Sequence, residues 1–151
     1  MKLVAYIVLI LILAICLRLF LFSLTSRKPV ETGMKNSQLR VCLKSSNCVC
    51  SEWKSYAYIA PLDYSIARDQ AWQSIRQVIE ETGGAVVMQN NDYLHAQYTS
   101  LVFRFIDDVE LRLDENHKLI HIRSSSRVGH SDLGTNRRRV ESIRARFKQV
   151  N

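Results

Sequence analysis

From Leu3 to Phe22 the chain is apolar at nearly every position, and Arg18 is the one charge in the run. A helix of that length spans a hydrocarbon core of about 30 Å, and it has no polar face with which to sit on a soluble core. Residues 1–24 are therefore predicted to be a single-pass anchor that meets the lipid bilayer through residues 3–22. A cleaved signal peptide would need small residues after the run, and Ser23-Leu24-Thr25-Ser26 is a poor site. A lipoprotein box at Leu13-Ala14-Ile15-Cys16 is disfavoured by the bulk of Ile15. Residues 25–41 hold Pro29 and Gly33 without periodicity and read as a linker. Residues 42–151 read as one domain.

Inside that domain the periodicity changes three times. Ala71, Trp72, Ile75, Val78 and Ile79 recur at spacings of three and four, which predicts an amphipathic helix. Ser65 is its candidate N-cap, and Thr82-Gly83-Gly84 stops it. Ala85–Gln89 and Tyr93–Thr99 flank Asn90-Asn91-Asp92 as a hairpin. Leu101 to Leu113 then alternates, with Phe103, Phe105, Val109 and Leu111 on one face, and Lys118–Ser125 returns with Ile120 and Ile122 apolar. Setting Leu113 opposite Lys118 pairs Leu111 with Ile120 and Val109 with Ile122. That register places Glu110 opposite His121, Asp108 opposite Arg123, and Asp107 opposite Ser124. Val140, Ile143, Phe147 and Val150 form the stripe of a last helix, with Asp132 or Thr135 as its cap. One turn further back the stripe reaches Asn136 and Arg137, predicted to face the sheet while Arg138 and Arg139 point away.

Short turns between strands exclude a doubly wound parallel sheet. The expected architecture is α+β: an antiparallel sheet of about four strands, two helices packed on one face, and the transmembrane helix in front.

Charge alters this picture little. The chain carries +7 overall, and much of the excess lies in the terminal helix, where a solvated face or contact with anionic headgroups accounts for it. Nucleic acid is excluded as a partner, because no strand surface interleaves basic and aromatic residues. Arg27, Lys28, Lys35 and Arg40 follow the apolar run and taken alone place the domain in the cytoplasm. Cys42, Cys48 and Cys50 cluster just beyond it, which suits an oxidising compartment, and on balance the domain is expected on the extracytoplasmic side. Cys42 and Cys48 can close a disulfide, with Cys50 as the alternative or spare thiol. Three cysteines lack an evident fourth ligand for a metal, the histidines lack metal-ligand spacing, and no cofactor is indicated.

The candidate chemistry lies between Phe105 and Arg139. Asp107, Asp108, Glu110, Arg123, Ser124, Arg127, Asp132, Asn136 and Arg137 form a polar network, either structural or a binding site. Alternation splits it in two. Asp108, Glu110, Arg123 and His121 share an outer face and read as surface pairing. Asp107, Ser124, Asn136 and Arg137 converge between hairpin and helix, the leading location for a site. Paired arginines bind carboxylate or phosphate well, so the network can serve a small polar ligand or a protein partner. The resulting expectation is a non-catalytic binding module near the membrane. The alternative is a hydrolytic or redox enzyme using Asp107, Glu110, Arg123 and Arg127, or Cys42, Cys48 and Cys50.

The chain also resembles the domain-of-unknown-function family numbered 1499, small bacterial and plastid proteins. The resemblance runs from Cys42 to Phe147 and rests on Ser46-Asn47-Cys48-Val49, Pro61-Leu62, Ala71-Trp72, Phe105 to Glu110, Ile122 to Gly129, Ser131 to Gly134, Asn136-Arg137 and Arg139. Cys50, Lys44 and Ser125 depart from its usual pattern. The resemblance implies a compact α+β domain, often behind a signal or anchor segment, and with the apolar run a bacterial inner membrane location is expected. It implies no activity.

Overall fold

The computed structural model describes residues 2–28, 30–43 and 46–151; Pro29 and Lys44, noted above, lie outside them. Helix α1 spans Lys2–Thr25 and is long and apolar enough to cross a membrane. Its last turn is closed by hydroxyls: Ser23 Oγ donates to the Phe20 carbonyl (2.7 Å) and Ser26 Oγ to the Ser23 carbonyl (2.6 Å). Such back-bonding competes with the helical ladder and suits a helix end.

Within the stretch read as linker, β1 (Met34–Lys35) and β2 (Gln38–Leu39) form a two-residue hairpin. Asn36 and Ser37 take positive φ at its turn, the conformation that matches strand twist in tight hairpins. Leu39 is fully buried. It anchors this segment in a small apolar cluster with Tyr93, Met34 and Trp53.

The main sheet has six strands, not four: β3 (Cys48–Cys50), β4 (Leu62–Asp63), β5 (Gly84–Gln89), β6 (Tyr93–Thr99), β7 (Ile106–Asp114) and β8 (Leu119–Ser126). All pairings are antiparallel, in the order β3-β8-β7-β6-β5, and β4 pairs the other end of β8. The two missed strands are too short to show a period. Helices α2 (Arg68–Glu81) and α3 (Thr135–Phe147) cover one face and bury Trp72, Ile75, Ile79, Val140, Ile143 and Phe147 against Leu94, Val109, Leu111, Ile120 and Ile122.

Local signals explain most boundaries. Gly83 ends α2 at φ +92°, and a Cβ on Gly84 would lie 2.8 Å from Ile79 and from the Tyr98 ring, so no side chain fits there. Ser65 does not cap α2, which begins after Ala67; the Ser65 N–H instead donates to Asn151 Oδ1 (2.9 Å). β7 starts at Ile106, later than the alternation from Leu101 predicts. Residues 101–104 form a turn in which Arg104 has φ +61°, closed by the Ser100 N–H on the Phe105 carbonyl (2.9 Å).

The β7–β8 register differs from the expected one by two residues. Leu113 faces Ile120, Leu111 faces Ile122, Glu110 faces Arg123 and Asp108 faces Ser125. Lys118 takes a positive φ and belongs to the turn. A slip by two keeps every side chain on its face, so alternation alone cannot detect it.

Helix α3 is locked to β8 through Asn136, which is fully buried. Its Nδ2 donates to the Asn47 carbonyl (2.9 Å) and Ser126 Oγ (3.0 Å), and its Oδ1 accepts from Ser124 Oγ (2.6 Å) and Arg139 (2.7 Å). Cys42 and Cys48 form a disulfide, while Cys16 and buried Cys50 are free. Burial pushes the Cys50 thiol up, away from thiolate character.

Asn136→Ala strands several buried partners and should lower unfolding stability by about 1–3 kcal/mol, read as a shift of the urea midpoint. Alkylation of the denatured, unreduced chain should label Cys16 and Cys50 only; mass spectrometry finding label on Cys42 or Cys48 would contradict the disulfide.

Candidate functional site

The sheet has a polar face, and it is buried. Successive outward positions on β7 are Asp108, Glu110, Arg112 and Asp114, facing Ser125, Arg123, His121 and Leu119 of β8. Alternation of this kind normally marks a solvated surface. Here the segment from residue 30 to 43 lies across it, and Asp108 and Glu110 have no solvent exposure. The expectation that this outer set is surface pairing is therefore corrected.

Each buried carboxylate is fully supplied with donors. Arg127 grips Asp108 with two parallel bonds, Nε to Oδ2 (2.7 Å) and Nη2 to Oδ1 (2.8 Å). His95 Nε2 lies 2.7 Å from the same Oδ1. Glu110 accepts from Arg123 Nη1 (2.5 Å), the Tyr93 hydroxyl (2.7 Å) and the Gly33 N–H (2.6 Å). Beside them Arg112 Nε donates to Glu52 Oε1 (2.7 Å), and Glu52 Oε2 accepts from the Leu39 N–H. The strap across the sheet is thus fastened at Gly33 and at Leu39 by carboxylates.

Electrostatics follow from this packing. Burial alone would raise Asp108, but the bonds from Arg127 and His95 outweigh it and hold the carboxyl below its usual range. Burial and the neighbouring Glu110 push the Tyr93 phenol up, keeping it a donor. Burial lowers His121, whose Nδ1 lies 3.2 Å from Ser51 Oγ.

The inner set is a separate structure. Asp107 pairs with Arg139 (2.6 Å), whose guanidinium also donates to Ser124 and Asn136 and lies 4.7 Å over the Tyr98 ring. The expected orientation of α3 is corrected here: Arg139 faces the sheet, while Arg137 is exposed and donates to the Tyr58 carbonyl (2.9 Å). A helical spacing of three from Asn136 selects Arg139; a spacing of one does not. Asp132 accepts from the N–H groups of Gly134 (2.9 Å) and Asn136 (2.6 Å), satisfying the start of α3.

The nine predicted residues therefore fall into three groups. Asp108, Glu110, Arg123 and Arg127 share the outer face; Asp107, Ser124, Asn136 and Asp132 dock α3; Arg137 stands apart. Sequence reasoning missed Tyr93, His95, Arg112, Glu52 and the strap. The run of alternating polar residues from Asp108 to Asp114 is the available signal for Arg112; Tyr93 and His95 join it only through the pairing of β6 with β7. The strap offers only scattered apolar residues without a period, Val30, Met34, Leu39, Val41 and Leu43.

A cavity of about 930 Å³ opens between the strap and the β8 end of this face. Lys35, Arg40, Arg123 and Arg127 line it against two acids, Glu31 and Asp108, with Trp53, Val41 and Leu43 as apolar wall. Arg127 is committed: its Nη1 reaches the carbonyls of Ser26 (3.2 Å) and Lys28 (3.4 Å). Arg123 and Arg40 are each paired through Nη1, with Glu110 (2.5 Å) and Glu31 (2.8 Å), while the Nε of each is buried without a hydrogen-bond partner. Buried polar groups are normally paired, so these two donors are exceptions among the residues that line the cavity. Among the described residues no group of three or more His, Cys, Asp or Glu could hold a metal ion.

Asp108→Asn removes a buried charge and leaves Arg127 unpaired, and should cost about 3–5 kcal/mol near neutral pH. The folded-state value of Asp108 is depressed below its ordinary 3.8. Its contribution is therefore present above that value and is lost as pH falls through the lower folded value. Acid titration of stability should show a loss in that window that shrinks in Asp108→Asn. The chain has no match among curated proteins. A family described as a protein of unknown function (DUF1499) matches residues 38–147, which takes in the disulfide, all six strands and both covering helices, and the chain belongs to that family.

Proposed function

We propose that the chain is a membrane-tethered, non-catalytic binding module whose ligand is a small anion carrying an apolar portion, held in the cavity beneath the strap. The observation that carries this reading is a pair of cavity-lining arginines, Arg40 on the strap and Arg123 on β8, whose buried Nε donors have no hydrogen-bond partner. A phosphate or carboxylate would satisfy both, and guanidinium donors suit such planar or tetrahedral acceptors. Trp53, Val41 and Leu43 would take the apolar part.

Several features support the rest of the proposal. Asp108 and Glu110 are saturated by fixed partners, which suits a scaffold better than a general acid or base that must exchange a proton. Helix α1 would be the tether, with residues 1–24 in or beside the bilayer. The Cys42–Cys48 disulfide favours an oxidising, extracytoplasmic side for residues 42–151.

The test uses the full chain in phosphatidylcholine nanodiscs, titrated with hexyl phosphate and with hexanol while the fluorescence of Trp53 is followed. Hexyl phosphate should bind and hexanol should not. Arg40→Gln removes a charged donor worth about 1.5–3 kcal/mol, so affinity should fall roughly tenfold or more. Equal binding of the two compounds, or binding of neither, would refute an anion site.

A further inference from the structure

The turn between β6 and β7 presents apolar side chains to solvent that nothing among the described residues covers. Leu101 is 92% exposed and Val102 78%. An alternating apolar sequence that folds as a strand would have buried them; instead the chain turns at Arg104 and offers them at a loop tip.

Where this tip lies follows from its contacts with α1. The Ile106 N–H donates to Ser26 Oγ (3.1 Å), just past the end of the helix. One residue earlier, the Phe105 ring meets Phe22 edge-on at 6.0 Å. Stepping from Ile106 to Phe105 thus moves back along α1 from Ser26 to Phe22, a rise of about 6 Å, into the apolar segment. Phe103 continues the contact, 6.3 Å from Phe105. The Ser100 N–H closes on the Phe105 carbonyl (2.9 Å), so Leu101 and Val102 stand in the turn that projects past Phe105 from the end of the sheet.

A second apolar residue stands at the same end of the sheet. Ile106 and Ser126 mark the shared end of β7 and β8, and Asn136 ties the first turn of α3 to Ser124 and Ser126 there. Leu133, just before α3, is 85% exposed. Exposed arginines flank both tips, Arg104 on one side and Arg137 and Arg138 on the other, with Arg27 and Lys28 after α1. Apolar tips ringed by cations are the composition of an interfacial membrane contact.

We infer that the β6–β7 turn, through Leu101 and Val102, and the turn before α3, through Leu133, rest in the interface of the same bilayer that α1 crosses. The domain is then held at three points against the membrane and does not swing freely on its tether. The occupant is lipid because the β6–β7 turn packs on the apolar surface of α1 through Phe105 and Phe22, and Leu133 lies at the same end of the sheet. The inference rests on the reading of α1 as a membrane span.

The experiment places nitroxide labels on single cysteines in the Cys16→Ala full chain, reconstituted in phosphatidylcholine–phosphatidylglycerol vesicles; Cys50 is 1% exposed and stays unlabelled. Labels go at Leu101, at Leu133, at Ile10 in α1, and at Met88, an exposed apolar residue at the opposite end of the sheet. Accessibility to oxygen relative to a water-soluble nickel chelate reports depth. The ratio should be severalfold higher at Leu101 and Leu133 than at Met88, and highest at Ile10. If Ile10 is deep while Leu101 and Leu133 match Met88, the inference fails and the tether stands. If Ile10 also matches Met88, both fail.

Discussion

Two carboxylates on one strand, Asp108 and Glu110, sit without solvent on the face of the sheet that the helices do not cover. A carboxylate taken out of water is tolerated only when its oxygens are occupied. The donors here come from parts of the chain remote from one another: Arg127 and Arg123 from the β8 side, His95 and Tyr93 from β6, and the backbone of Gly33 from the strap. The strap is therefore held by charge and hydrogen bonding, with a small apolar cluster around Leu39 and the Cys42–Cys48 disulfide to assist. Strand β7 serves two dissimilar layers at once, a dry apolar one through Val109 and Leu111 and a polar one through Asp108 and Glu110.

The same interaction reaches α1. A guanidinium offers five N–H donors in a rigid plane. Asp108 fixes that plane for Arg127, and the remaining edge points to the carbonyls of Ser26 and Lys28, which follow α1. The Ile106 N–H adds a further bond to Ser26 Oγ. Loss of the Asp108 carboxylate would therefore loosen both the sheet face and the junction with the helix, a coupling that neither contact has alone.

Much of this was legible in the sequence, and the failures have definite causes. The apolar run of α1, the stripe of α2 and the alternation of β7 are strong periodic signals, and each marks a real element. The β7–β8 register was misjudged because a shift of two residues leaves all side chains on their faces; only the positive φ of Lys118 distinguishes the turns. Arg139 was placed outward because the stripe was extended to adjacent residues, although the step from Asn136 that stays on one helix face is three. Burial of Asp108 and Glu110 was invisible because their cover comes from residues 30–43, whose sequence carries no period. Alternating polar residues look alike whether water or a strap lies over them. The disulfide was anticipated from spacing, while β3 and β4 were too short to be seen.

The strap makes the cavity, and this constrains how a ligand could use it. Its floor is the paired sheet face and its wall is the segment that joins the domain to α1, with Val30 at that wall and Arg127 bonded to the helix end. An anion with an apolar tail partitions to the membrane interface, so with the domain held against the bilayer its local concentration beside such a cavity would exceed that in bulk water. Occupancy would satisfy the Nε groups of Arg40 and Arg123, one on the strap and one on β8. It would thus add to a closure held by the carboxylate bonds at Gly33 and Leu39 and by the Cys42–Cys48 disulfide. Binding and strap closure then share one free energy, and a ligand that stabilises the strap must bind more weakly whenever the strap is loosened by substitution at Glu110 or Glu52.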